Sequence, residues 1–315
     1  MNYKSQLFYE DLNKSVKRQT DKLKEKDNYR ELTPITSRLY GHIQLEGKEY
    51  VQLSSNDYMG LAQNQLLYKN TVSSLEKWGV GATGSRLLGG DTILHHRVED
   101  SSAIWMKKET SLLFNSGYQA NISVLGTLLS QGDLVVADKD SHASILDGVQ
   151  LSGAKLIRYR HLDLVHLERI LEKNKAQYKN ILIITESVFS MDGKIAPLGE
   201  LCKLKTKYKC LLYVDEAHAI GVLGENQAGL ASEHGSCDIV VAPLGKALAA
   251  TGAIVACNQD VKRYLINKCR GFIYSTALPP FMMAWIESAI LFCQESNALA
   301  EGVVKNAFFT TPSAR

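Results

Sequence analysis

The chain has 315 residues and a formal net charge of +3 at pH 7, with 45% hydrophobic and 22% charged residues. That make-up suits a globular protein with room for one large domain and part of a second, and so small a charge argues for neither nucleic acid nor an anionic membrane surface as partner. The polar N-terminus has no signal-peptide core, no run of about 18 apolar residues is available to span a membrane, and six cysteines without C-x-x-C or zinc spacing read as free thiols of a reduced, cytoplasmic protein.

In chain order, residues 5–27 read as a charged amphipathic helix, with Lys14, Lys17, Arg18, Lys22, Lys24 and Lys26 interleaved with Asp21, Glu25 and Asp27. Thr33-Pro34 is expected to end it, because a residue before proline is pushed out of the helical region. Residues 38–53 read as a short β-ribbon around Glu46-Gly47-Lys48, and Leu66–Trp78 has helical spacing. Strands and helices then alternate. The strands are expected at Ser111–Asn115, Leu134–Ala137, Lys155–Tyr159, Ile181–Thr185, Leu211–Val214, Ile239–Ala242 and Ile254–Cys257. Helices are expected near 141–152, 163–173, 198–208 and 259–268, and again from about Ala284.

The strand runs lack a polar face, as strands do when helices cover both sides of a sheet. An α/β fold with a doubly wound, mostly parallel sheet follows. Ligands of such sheets gather beyond the carboxyl ends of the strands. Asp138–His142, Glu186-Ser187, Asp215-Glu216 and Pro243–Lys246 all fall there.

Gly79-Val80-Gly81-Ala82-Thr83-Gly84 matches G-x-G-x-x-G, but it follows a helical pattern where a dinucleotide site needs a strand. A glycine-rich loop that approaches a ligand or another backbone is the better reading. Lys246 follows an apolar strand and precedes Ala247–Ala250, so its charge is paired or functional. A desolvated lysine amine can hold an aldehyde cofactor as a Schiff base. Asp215 ends an apolar run, and a buried carboxylate there needs a cation, which a pyridinium would supply. Together the two residues suggest pyridoxal phosphate. His142 reads either as part of a helix cap or as an imidazole stacked on a flat ring. Gly117-Tyr118 reads either as an ordinary turn or as a helix N-terminus that binds phosphate.

Eight motifs stand in order: Ser54-Ser55-Asn56-Asp57-Tyr58-Met59-Gly60-Leu61, Gly84-Ser85-Arg86, Ser116-Gly117-Tyr118-Gln119-Ala120-Asn121, Ser141-His142-Ala143-Ser144, Glu186-Ser187-Val188-Phe189-Ser190-Met191-Asp192-Gly193, Val214-Asp215-Glu216-Ala217-His218, Gly245-Lys246-Ala247 and Tyr274-Ser275-Thr276-Ala277-Leu278-Pro279-Pro280. The set resembles the α-oxoamine synthases, over roughly residues 35–310. The resemblance implies the type I aspartate-aminotransferase fold, pyridoxal 5'-phosphate as cofactor and a homodimer with shared active sites. The Ser-Ser-Asn-Asp-Tyr and Phe-Ser-Met-Asp-Gly forms favour the branch that condenses L-alanine with a pimeloyl thioester, on CoA or a carrier protein, in biotin biosynthesis. Two alternatives stay open: another branch such as glycine C-acetyltransferase, or an inactive relative acting as an interaction subunit.

By resemblance, Lys246 would carry the cofactor and remove the alanine Cα proton, Asp215 would pair with the ring nitrogen and His142 would stack on the ring. His218 and Ser190 would hold the ring oxygen and the amino acid, and Gly117 and Tyr118 would offer amides to the phosphate. Ser275 and Thr276 would reach the partner subunit's phosphate, while Asn56 and Arg86 would lie near the mouth of the site. Three departures from the family pattern are visible. Pro243 stands where a phosphate-binding threonine is usual. Lys24 falls near the position of a basic residue that meets the acyl substrate, and lysine lacks arginine's bidentate fork. The chain stops as the family's small C-terminal domain begins. The expected divisions are therefore 1–53 (helix and ribbon), 54–283 (large cofactor-binding domain) and 284–315 (start of the small domain).

Overall fold

The structure, a computed structural model, describes residues 3–310. It divides into two compact units, Met1–Leu53 and Ser54–Arg315.

The first unit holds α1 (Tyr3–Glu25) and an antiparallel sheet of β1 (Ser37–Leu39), β2 (His42–Leu45) and β3 (Lys48–Val51). The helix ends well before Thr33-Pro34. Asp27 takes the left-handed conformation at φ 53°. That lets the Asn28 amide reach back to the Leu23 carbonyl at 2.9 Å, so the chain closes its own C-terminal cap and the proline is not needed. The expected ribbon gains a third strand, β1.

The second unit opens with α2 (Gln65–Trp78), capped by the Asn64 side chain, which accepts from the Leu66 and Leu67 amides. There follow α3 (Ile93–Trp105), β4 (Thr110–Phe114), α4 (Gly117–Leu128), β5 (Leu134–Asp138), α5 (Ala143–Ser152), β6 (Lys155–Tyr159), α6 (Leu164–Asn174), β7 (Ile181–Glu186), α7 (Leu198–Tyr208) and β8 (Leu211–Asp215). The unit is completed by β9 (Ile239–Pro243), β10 (Ala253–Cys257), α8 (Gln259–Lys268), α9 (Arg270–Ile273), α10 (Pro280–Glu295) and α11 (Asn297–Thr310). The seven strands run in the order β4-β10-β9-β8-β7-β5-β6, and only β10 opposes the common direction.

Strand alternation divides the core between the two faces of this sheet. Val136, Ile183, Val214, Val240 and Ile254 pack on one side, and Val135, Ile184, Tyr213, Val241 and Val255 on the other. Each fully buried aliphatic side chain contributes roughly 1.5–3 kcal/mol. A frame held on both faces fixes where the strand ends lie.

The boundary expected at 283/284 falls inside α10, which starts with Pro280 at its first turn. Met283, Trp285, Ile286, Ala289 and Ile290 on this helix are buried in the same core as α2 and α3. No helix of the described residues is long and apolar enough to cross a membrane.

Candidate active site

Asp215 and Glu186 are the last residues of β8 and β7 and face each other across the register, while Pro243 ends β9. With the turn after β9 and the N-termini of α4 and α5, these ends enclose a cavity of about 170 Å³. Lys246, Asp215, His142, His218, Gly117 and Tyr118 all line it, together with Asn121, Ser144, Glu186, Ala217 and Pro243.

Lys246 Nζ lies 2.8 Å from His218 Nε2. On the far side of that ring, His218 Nδ1 lies 2.8 Å from the Tyr58 hydroxyl. Tyr58 has one proton and gives it to Asn56 Oδ1 at 3.0 Å. The shared network therefore makes His218 Nδ1 the donor to Tyr58 and leaves Nε2 to accept from the lysine. Burial, helped by Lys246 and His142, pushes the His218 pKa down to about 4, so the imidazole is neutral. Burial also lowers the Lys246 pKa, against the opposing pull of Asp215 and Glu186.

Asp215 is buried. Its Oδ2 accepts from Asn121 at 2.8 Å and its Oδ1 from the Ala217 amide at 2.9 Å. It forms no ion pair among the described residues, and burial raises its pKa. Glu186 Oε1 accepts from the His142 amide at 2.7 Å, and burial followed by Asp215 pushes its carboxyl up to about 8. Gly117 opens α4 behind the N-cap Ser116. The Gly117 and Tyr118 amides donate to no group of the described residues. A side chain at 117 would collide with Pro243, with Cγ only 2.5 Å from the added carbon.

Other expected residues lie elsewhere. Ser190 is exposed in the turn between the bridged Val188 and Ile195 and does not line the cavity. Its neighbour Phe189 takes the core position, which turns Ser190 outward. Arg86 is not free for substrate: its guanidinium is locked onto Asp91 and onto the buried Glu99, the latter at 2.7 Å. Ser275 and Thr276 line a separate groove with Arg86, His95 and Gln119, where Gln119 donates to Ser275 Oγ at 2.6 Å. Lys24 belongs to the first unit, with its ammonium 4.7 Å from the Tyr29 ring.

The glycine loop after α2 meets no strand. Ser85 bridges Thr276 instead, and the Ala277 amide donates to the Gly84 carbonyl at 2.9 Å. A Cβ on Gly90 would lie 2.1 Å from that same carbonyl, so glycine is required by close packing of the chain on itself. Glu186, expected beyond a strand end, joins the site, and Tyr58, Asn121 and Ser144 join it without having been singled out from sequence. These three sit inside the ordered motifs, and their shared motif membership was the available signal.

The aminotransferase class I and II family matches residues 48–308. The 8-amino-7-oxononanoate synthase of Thermoanaerobacter pseudethanolicus is 41% identical over 295 residues, covering 93% of this chain and 75% of that protein. Among solved structures, a serine palmitoyltransferase from S. paucimobilis with a bound PLP–myriocin aldimine superposes with a TM-score of 0.84 at 28% identity, covering 93% of this chain and 75% of its own. The 8-amino-7-oxononanoate synthase of Francisella tularensis superposes at 0.68 with 35% identity, covering 78% of this chain and 69% of its own. The chain belongs to the aminotransferase class I and II family, in its α-oxoamine synthase branch.

The cofactor of this α-oxoamine synthase is pyridoxal 5'-phosphate, and the residues present fit it. A buried carboxylate without a cationic partner, Asp215, suits a pyridinium nitrogen. Two free amides at a helix N-terminus suit a phosphate. Lys246 offers an amine of lowered pKa to an aldehyde.

Proposed function

We propose that this enzyme condenses L-alanine with a pimeloyl thioester, on CoA or an acyl carrier protein, with loss of CO2, to give 8-amino-7-oxononanoate for biotin synthesis. The observation that carries the reading is the meeting of Lys246, Asp215 and the free α4 amides in one cavity, in a chain 41% identical to a protein of that name.

Bound in this cavity, pyridoxal phosphate would supply an aldehyde and a protonated ring that accepts charge developing at the alanine Cα. Asp215 would hold the proton at the ring nitrogen, the Gly117 and Tyr118 amides would receive the phosphate, and His142 would stack on the ring. Lys246 Nζ would take the alanine Cα proton, and His218 Nε2, neutral and 2.8 Å away, accepts a hydrogen bond from the amine and so orients it.

A homodimer belongs to the proposal. Ser275 and Thr276 lie outside their own chain's cavity, flanked by the exposed Leu87, Leu88 and Tyr274, which supports their serving a second copy. So does a cytoplasmic location, supported by six cysteines that are all buried free thiols.

Protein saturated with pyridoxal phosphate is expected to show a visible absorbance band that Lys246→Ala abolishes. L-alanine with pimeloyl-CoA should then release CoA, and acetyl-CoA should release far less. Absence of the band in the parent protein rejects the enzyme reading, and faster turnover with acetyl-CoA assigns another branch.

A further inference from the structure

Tyr213, Asn121 and Ser144 form a buried polar chain against Asp215 and His142 that the proposed mechanism leaves without a role. Tyr213 OH donates to Asn121 Oδ1 at 2.6 Å. The Asn121 amide nitrogen then donates both its protons, one to Asp215 Oδ2 at 2.8 Å and one to Ser144 Oγ at 2.9 Å. Ser144 Oγ lies 2.8 Å from His142 Nδ1, and the Ser144 amide donates to the same nitrogen at 3.3 Å. Tyr213, Asn121, Asp215 and Ser144 are all buried, so no water competes for these groups.

A carboxylate that only accepts and a backbone N–H that only donates fix the direction of these bonds. A carboxylate only accepts, so the Asn121 amide must turn its NH2 toward Asp215. With one amide proton there, the other reaches Ser144 Oγ. Ser144 Oγ accepts that proton, and because the Ser144 amide donates to His142 Nδ1 that nitrogen is an acceptor, so the Ser144 hydroxyl proton points to it as well. His142 Nδ1 then receives two donors and carries no proton, and the ring proton sits on Nε2.

We infer that Asn121 is a positioning residue with two outputs: it orients the Asp215 carboxylate directly, and through Ser144 it fixes His142 in the tautomer that carries its proton on Nε2. The inference rests on the cofactor reading above for its use but not for its geometry. The Nε2–H group is the donor His142 has left to offer a bound substrate or its leaving carboxylate. Because one side chain sets both groups, a change at Asn121 disturbs the ring-nitrogen contact and the ring-stacking histidine together.

The test uses the full chain labelled with ¹⁵N-histidine, with and without pyridoxal phosphate, and the His142 signals assigned by their loss in His142→Asn. The parent protein is expected to show a pyridine-like Nδ1 and a pyrrole-like Nε2. Ser144→Ala should move the Nδ1 signal toward a tautomer average while lowering pyridoxal phosphate affinity less than Asn121→Leu does. Asn121→Leu should move the same signal and also weaken cofactor binding roughly ten- to a hundredfold, as loss of a hydrogen bond to a charged group does. A proton on Nδ1 in the parent protein, or a Ser144→Ala spectrum identical to it, overturns the inference. So does an Asn121→Leu protein that binds pyridoxal phosphate as tightly as the parent. The spectra without cofactor decide the tautomer even if the parent binds no pyridoxal phosphate, so failure of the cofactor reading stays distinct from failure of this one. They also decide it if Asn121→Leu does not fold, through Ser144→Ala alone.

Discussion

Glu186 and Asp215 put two carboxyl groups side by side at the ends of adjacent strands, both buried. Like charges that close do not ionise together easily. Glu186 is the one for which the consequence is measurable, since burial and then Asp215 raise it from 4.5 to about 8. Between those values the folded chain keeps a proton that the unfolded chain has lost. Its contribution to stability is therefore complete below about pH 4.5 and is lost as pH rises through about 8. His218, depressed to about 4, acts in the opposite sense but only below about pH 6.5, where the unfolded chain takes up its proton. In cofactor-free protein between about pH 6.5 and 8, the unfolding midpoint should fall more steeply for the parent than for Glu186→Gln. Equal slopes would show that Glu186 is ionised in the folded state.

At the scale of elements, the site depends on the start of α4 lying against the end of β9. Gly117 is required because the Pro243 ring occupies the space of any side chain. The same contact puts Pro243 beside the free amides where the family usually has threonine. Proline brings neither a hydroxyl nor an N–H. It follows that Pro243→Thr should tighten pyridoxal phosphate binding by about two- to tenfold, the worth of one net hydrogen bond. Equilibrium titration of the absorbance change measures this, and an unchanged or weaker affinity would mean the phosphate does not come within reach of residue 243. Strand β9 itself pairs with β10 through Ala253 at this point. The antiparallel β10 thus carries the lysine-bearing turn back along the sheet and holds Lys246 over the strand ends.

For the molecule as a whole, Ser275 and Thr276 and the cavity of Lys246 are built on different surfaces of one chain. A shared dimeric site predicts complementation. Mixed dimers of Lys246→Ala with a Ser275→Ala/Thr276→Ala double variant contain one intact site of two. A random mixture should recover roughly a quarter of parental activity where each variant alone has little, by the symmetry of a two-fold dimer. Activity that stays at the level of the separate variants would place all of each site within one chain.

Much of the fold was legible because it rests on local patterns. The strands Lys155–Tyr159 and Leu211–Asp215 and the helices Leu198–Tyr208 and Gln259–Lys268 lie within a residue of their expected limits, since apolar runs and periodicity report burial directly. The means by which α1 ends and the packing of α10 were not legible, because a left-handed Asp27 and a face buried on α2 and α3 leave no strong local mark. By itself the sequence determined the α/β class and the placing of Lys246 and Asp215 at neighbouring strand ends, for which a charge next to an apolar strand end is signal enough. It also carried the eight motifs, and with them the family resemblance. Only the tertiary structure decided which members of those motifs meet. It joined Tyr58 to His218, and Asn121 to both Asp215 and Ser144, across 160, 94 and 23 residues of chain. It turned Ser190 outward and gave Arg86 to Glu99. Such choices depend on the direction and proton inventory of each side chain in three dimensions, which residue identity and spacing do not encode.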